Sequence, residues 1–224
     1  QFNATNKHFG REMMKHAEQH KALAKEQFGS RKEMSSAMAA LGKVLCFDLW
    51  RQMRSSGWII CNDAKSCYDR ILHGPAMIAM MRMGLPYTVV RCMFETLQQA
   101  VHHVRTAYGV SSKTYGGGNI KGINMPMHGI GQGNGAGPAI WAVISCLILE
   151  IMHKQGYVAT FVSAISWMSI ALCGFLFVDD ADLLFTAPTT HQRGEEIAES
   201  AQRHLDEWEG LIRATGGALV PSKS

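Results

Sequence analysis

The chain has 224 residues, of which 47% are hydrophobic and 18% charged, and a formal net charge of +4. That content excludes a disordered segment and supplies enough apolar surface for a substantial core, in one domain or a domain with a small lobe. The basic excess is N-terminal, since residues 1–54 hold ten Lys and Arg against five Asp and Glu while the rest hold twelve against thirteen, a distribution that suits either a polyanion-binding face or solvated helices.

The N-terminal stretch "QFNATNKHFGREMMKH" has no apolar run of signal-peptide length, which argues against secretion. Helices are expected over "REMMKHAEQHKALAKEQF" and "SSAMAALGKVLCFDLWRQM", with Gly29 and Ser30 between them. His16 and His20 share a helix face, but a zinc site would need Glu after the first His and a third ligand, so they read as solvated. An apolar strand from Trp58 to Cys61 ends in Asn62 and Asp63. Two helices follow, "GPAMIAMMRMGLP" with a Met-rich core face and "YTVVRCMFETLQQA". A β-hairpin around Gly109 to Ser112 comes next, its His102, His103, Arg105 and Lys113 facing a backbone phosphate or solvent. "HGIGQGNGAGP" sets five glycines ahead of a helix whose first turn holds Pro138. Such a turn lets backbone approach a ligand closely, although it is neither a Walker loop nor a dinucleotide fingerprint.

From Tyr157 to Val178 the chain runs 22 residues without a charge, long enough to span a bilayer. Its β-branched and aromatic residues, Gly174 and the lack of a flanking basic cluster favour two buried strands joined near Trp167 to Ala171, and no membrane contact. An amphipathic helix is expected after them, capped by Thr189 or Thr190, carrying Ile197, Ala201, Leu205, Trp208 and Ile212 as a stripe and ended by Gly216 and Gly217. "ALVPSKS" reads as a last strand bearing Lys223. The six cysteines stand singly, most of them in apolar runs, and fit reduced, buried thiols in an intracellular protein.

The stretch "GFLFVDDADLLF" sets carboxylates into an otherwise apolar run. Burying unpaired carboxylates is costly, so either a hairpin tip carries Asp179 and Asp180 into water or a hard divalent cation compensates them. The second reading needs another acid, and Asp63 ends the strand that a sheet would place beside this hairpin. Three carboxylates around one point suit two metal ions and phosphoryl transfer.

"NDAKSCYDRI" resembles the first catalytic block of reverse transcriptases of the non-LTR retrotransposon and group II intron type, with an aromatic five residues after the Asp and an acid six after it. "GIGQGNGAGP" is similar to their Gln-Gly block and "FVDD" to their Phe/Tyr-x-Asp-Asp block. "EQFGSRK" is similar to a finger-region motif, and "EWEGLIRATGGALVPSKS" to the later helix and Lys-bearing strand, so that blocks in the family's order cover nearly the whole chain.

The resemblance implies an α+β polymerase palm over residues 58–224, an antiparallel sheet with helices packed on one face, preceded by part of the helical fingers over 1–57. It implies RNA-directed DNA synthesis on an RNA template and a DNA primer from deoxynucleoside triphosphates. Asp63 and Asp179 would bridge two Mg²⁺ ions, for which Mn²⁺ can substitute, with Asp180 as the third acid. Ala64 would lend its carbonyl. Tyr68 would be the gate against a ribose 2′-hydroxyl, where viral RNA polymerases tend to carry an acid. Gln132 and Gly133 would touch nucleotide and template, and Lys223 would protonate the leaving pyrophosphate. Asp69 and Asp182 are expected to be structural. Gly131 stands where many relatives have Arg, and Gly137 where Ser usually precedes Pro138. The thumb and the rest of the fingers are expected from other segments of the same polypeptide, so the isolated segment is expected to polymerise poorly. The rival reading is a catalytically inactive nucleic-acid-binding module derived from a retroelement.

Overall fold

The computed structural model describes residues 2–117, 119–120, 123–124, 127–163, 165–187 and 194–220, with backbone alone at 119–120 and 123–124. In chain order its elements are α1 (Phe2–Gln19), α2 (Ser36–Met53), β1 (Gly57–Asp63), α3 (Cys67–Arg70), α4 (His73–Arg82), α5 (Tyr87–Gln99), β2 (Val101–Thr106), β3 (Gly109–Gly116), β4 (Asn119–Ile120), β5 (Ile123–Asn124), α6 (Gly137–Gln155), β6 (Ala159–Val162), β7 (Ser169–Leu172), β8 (Gly174–Phe177), β9 (Asp180–Thr186) and α7 (Gly194–Ala214). The class is α+β, as the sequence implies.

The central antiparallel sheet has the order β1-β9-β8. Successive side chains alternate between its faces. Ile60, Leu176, Ala181 and Leu183 therefore join the large core, whereas Ile59, Phe175 and Leu184 join a smaller one with Ala39, Cys46 and Trp50 of α2 and Phe161 of β6. The main helical layer, α1 and α4 around α6 with α7 beside it, covers the first face. Trp50 fastens the second layer, its indole N–H donating to Thr186 Oγ1 at 2.7 Å.

Helix α6 is the axis of the large core. Twelve of its 19 residues are buried, among them Ile140, Ile144 and Leu149, because its apolar residues run all around it. Each large apolar side chain so buried contributes about 1.5–3 kcal/mol. The helix starts with Pro138 in its first turn and stops at Gly156, whose φ of 81° closes the C-terminus. By length and composition α6 is long and apolar enough to cross a membrane, but most of it is buried inside the fold. The Met-rich helix α4 packs Ala76, Ala79 and Met80 into the same core, as expected.

Several elements differ from the sequence reading. The first helix stops at Gln19 rather than continuing towards Phe28. Lys21 takes a φ of 52°, and the following strap leaves the helix to lie against β8. The hairpin of β2 and β3 turns at Ala107 and Tyr108, just before the expected position. The uncharged run 157–178 holds three strands rather than two, because Ser169–Leu172, all but its last residue expected in the connection, pairs with Ala159–Val162. Cys61 and Cys92 are exposed rather than buried, although all six thiols are free. Helix α7 buries Ile197, Ala201, Trp208 and Ile212 as expected and adds His204, while the caps Thr189 and Thr190 lie outside the described residues.

His204 has an expected consequence for acid stability. Its ring makes edge contacts with Tyr157 and Phe185 at centroid distances of 5.3 and 6.3 Å, and burial pushes its pKa down to about 4. The folded state thus holds the neutral ring while the unfolded chain takes up a proton below about pH 6.5. Stability is full above that value and declines as the pH falls towards 4, by at most about 3 kcal/mol. Denaturant titrations at pH 7 and pH 4.5 are expected to show this loss, and His204→Phe to flatten it.

Candidate active site

The turn joining β8 to β9 has only two residues, Val178 and Asp179, because Phe177 pairs with Asp180. Asp180 therefore opens β9 rather than sharing the hairpin tip. Val178 takes a φ of 60°, a conformation that a β-branched side chain strongly disfavours.

The register of β1 on β9 sets Asp63 opposite Asp180 and Cys61 opposite Asp182. Directly paired residues project to the same face, so this end of the sheet presents a row of acids. Lys43 of α2 lies 2.6 Å from Asp182 and neutralises the innermost of them, which gives Asp182 its structural role. A hydrogen bond to Asp182, with burial and the carboxylate charge, raises the pKa of the Cys61 thiol. Lys43 sits 139 residues from its partner, and no local pattern marks it.

Asp179 and Asp63 share a pocket of about 330 Å³ with Ala64, Cys67, Tyr68, Asp69 and Gln132. Five of the residues singled out in the sequence thus meet in one concavity, which the exposed Asp180 adjoins through its pairing with Asp63. Gly133 lines a neighbouring groove of about 530 Å³, between the glycine-rich loop and His102 and Tyr115 of the β2–β3 hairpin. Lys223 lies outside the described residues.

The loop carrying Gln132 is held by α3. Ile130 N–H donates to Tyr68 O and Gly129 N–H to Ile71 O, both at 2.8 Å, and Gln132 N–H donates to Asp69 Oδ1 at 3.0 Å. Asp69 is thus structural, its carboxylate capping the loop. Gly129 has a φ of 78°, and a Cβ there would lie 2.5 Å from Asp69 O, so this approach requires glycine. His73 bridges the same loop to α5, its ring nitrogens lying 2.6 Å from Gly129 O and 2.5 Å from Gln98 Nε2.

The pocket's electrostatics separate acids from neutral donors. Burial, the charge of Asp179 and a hydrogen bond to it push the Cys67 thiol up to about 12. Burial first, then Cys67 and Asp179, raises the Tyr68 hydroxyl pKa. Both groups are protonated at neutral pH, so neither a thiolate nor a phenolate stands beside the carboxylates. Asp63, Asp179 and Asp180 offer oxygen donors alone, the chemistry of a hard cation such as Mg²⁺. Among the described residues, the set of ligand atoms within 4.8 Å of one another is Glu26, His153 and Cys173 rather than the three aspartates. There Glu26 Oε1 lies 2.5 Å from His153 Nε2 and accepts from the Cys173 backbone N–H, while burial raises the thiol pKa, so a hydrogen-bonded network accounts for the cluster.

The fold is similar to that of solved telomerase structures. Similar solved structures are telomerase from Candida albicans in complex with a TWJ fragment of telomeric RNA (TM-score 0.52, 14% identity over 96% of this chain and 33% of that one) and telomerase from Candida tropicalis in complex with a TWJ fragment of telomeric RNA (0.54, 11%, 88% and 29%). Another is apo telomerase from Candida tropicalis truncated from its C-terminal domain (0.50, 11%, 99% and 40%). The chain spans 29–40% of the length of these structures, and at 11–14% identity the likeness is one of fold. No family model matches the chain, nor does any curated protein sequence.

Proposed function

We propose that this chain is the catalytic palm, over residues 58–224, with part of the fingers, over 1–57, of an intracellular RNA-directed DNA polymerase of the retroelement type. The observation that carries the reading is the pairing of Asp63 with Asp180 beside a two-residue turn that sends Asp179 into the pocket of Tyr68 and Gln132. Asp63, Asp179 and Asp180, with the Ala64 carbonyl, would hold two Mg²⁺ ions, or Mn²⁺ in their place. Bound there, such ions would supply acidification of an attacking hydroxyl and charge stabilisation at a leaving phosphate oxygen.

In the proposed reaction a primer 3′-oxygen bonds to the α-phosphorus of a deoxynucleoside triphosphate, loses its proton, and the bond to the bridging oxygen breaks to release pyrophosphate. Tyr68 closes the pocket beside the sugar, Gln132 and Gly133 border nucleotide and RNA template, and Lys223 donates a proton to the pyrophosphate. Other segments of the same polypeptide supply the remaining fingers and the thumb.

The test is primer extension on an RNA template by the full-length protein containing this chain. Deoxynucleotides are expected to be incorporated and ribonucleotides rejected. Tyr68→Ala, which removes the ring, is expected to reduce that discrimination by about 10²-fold, a loss of about 3 kcal/mol of differential transition-state binding. Ribonucleotide preference in the wild type would overturn the role of Tyr68. RNA binding with no incorporation of either nucleotide would point to a non-catalytic binding module.

A further inference from the structure

We propose that Gln27 is a positioning residue for Asp179, its carboxamide holding the Val178–Asp179 turn in the geometry that presents the acid to the pocket. The functional part of this inference rests on the polymerase reading above. Gln27 is completely buried, and all four hydrogen-bonding sites of its amide are filled. Nε2 donates to Val178 O at 3.3 Å and to Ser145 Oγ at 2.8 Å, while Oε1 accepts from Val178 N–H at 3.2 Å and from Gly29 N–H at 2.8 Å. One side chain therefore engages both backbone polar groups of the turn residue with the disfavoured φ, and ties it to α6.

The strap around Gln27 is built to bring it there. Leu176 N–H donates to Glu26 O at 2.8 Å and Phe28 N–H to Leu176 O at 2.7 Å, so residues 26–28 run alongside β8 as a parallel edge. Glu26 is fastened in turn by His153 and the Cys173 backbone. The strap ends in Gly29, which passes so close to the turn that a Cβ would lie 2.2 Å from Val178 N.

No other side chain supplies this pattern. Glutamate has no donor for Val178 O or Ser145, asparagine is one methylene shorter, and leucine leaves the buried turn groups without partners. A buried glutamine with only a general packing role would loosen the whole core when replaced. A clamp would loosen the turn selectively.

The experiment is hydrogen–deuterium exchange of peptides covering residues 175–182 in the full-length protein, together with Mn²⁺ binding by electron paramagnetic resonance. The variants are Gln27→Leu, Gln27→Glu and Ser145→Ala. Both Gln27 substitutions are expected to accelerate exchange in the turn by about tenfold and to weaken Mn²⁺ binding by a similar factor. Ser145→Ala removes one acceptor of the Gln27 amide but retains both Val178 bonds, and is expected to change either by less than half as much as Gln27→Leu. Unchanged turn exchange in Gln27→Leu would overturn the clamp. So would acceleration spread equally over α6 and α7 peptides, since that is general destabilisation. Selective acceleration in a protein whose wild type binds no Mn²⁺ would uphold the clamp and sink the metal-dependent reading instead.

Discussion

Asp179→Asn is expected to reduce deoxynucleotide incorporation by the full-length protein at least about a thousandfold, with little change in stability. Asp179 shares the pocket with Asp63, and Asp63 pairs across the sheet with Asp180. The amide keeps the shape of the side chain and removes a negative charge from the proposed metal centre. Metal-dependent charge stabilisation is worth several kcal/mol, and about 4 kcal/mol corresponds to three decades of rate. A half-exposed isosteric change outside the core belongs among substitutions that shift stability by about 0.5 kcal/mol or less. Asp69→Asn provides the control: its Oδ1 still accepts from Gln132 N–H, so a loss smaller than about tenfold is expected. Substantial incorporation by Asp179→Asn, measured by single-nucleotide extension, would remove Asp179 from catalysis.

Gly29→Ala is expected to destabilise the fold by about 2–3 kcal/mol and to reduce incorporation as severely as a change in the pocket itself. The added Cβ would lie 2.2 Å from Val178 N, 2.6 Å from its Cγ2 and 2.8 Å from its Cα. Two of these are backbone atoms, which a rotamer change cannot move. Over-packing of this kind typically costs about 1–3 kcal/mol and displaces backbone. The backbone displaced here is the turn that carries Asp179, so stability and chemistry fall together. In a domain of this size the stability term lowers the thermal midpoint by about 4–12 °C. Calorimetry alongside primer extension checks both parts, and an unchanged midpoint with full activity would show that the strap does not press on the turn.

The different legibility of these residues has a physical basis. The acids of the hairpin stand out because carboxylates interrupt an apolar run, and Asp63 because it ends a strand. Tyr68, Gln132 and Ala64 were found only through the family resemblance. Lys43 carried no local signal, and Cys67 and Gln27 stood inside the family-like blocks "NDAKSCYDRI" and "EQFGSRK" without any role attached to them. A buried glutamine, a paired lysine and a neutral thiol become distinctive only when their partners are known, and those partners lie far along the chain.

Local patterning also set the errors. The segment 20–28 has helical composition, but its backbone bonds instead with Leu176, a tertiary contact that outweighs a weak propensity. The expected join over 167–171 placed Ser169–Ala171 in a connection, yet those residues find partners in β6.

By itself the sequence determined the α+β class, the existence of α4, α5, α6 and α7, and the presence of acids at a strand end and in a hairpin. The class came with the family resemblance, while the helices and the acids rest on periodicity, glycine and proline chemistry and charge, all read within a few residues. The tertiary structure alone decided that Asp63 faces Asp180, that Asp182 is neutralised by Lys43, and that the turn is held by Gln27. Strand register and buried hydrogen bonds depend on contacts between residues more than a hundred positions apart, such as the 151 separating Gln27 from Val178. Only the closing of the core brings such groups within bonding distance.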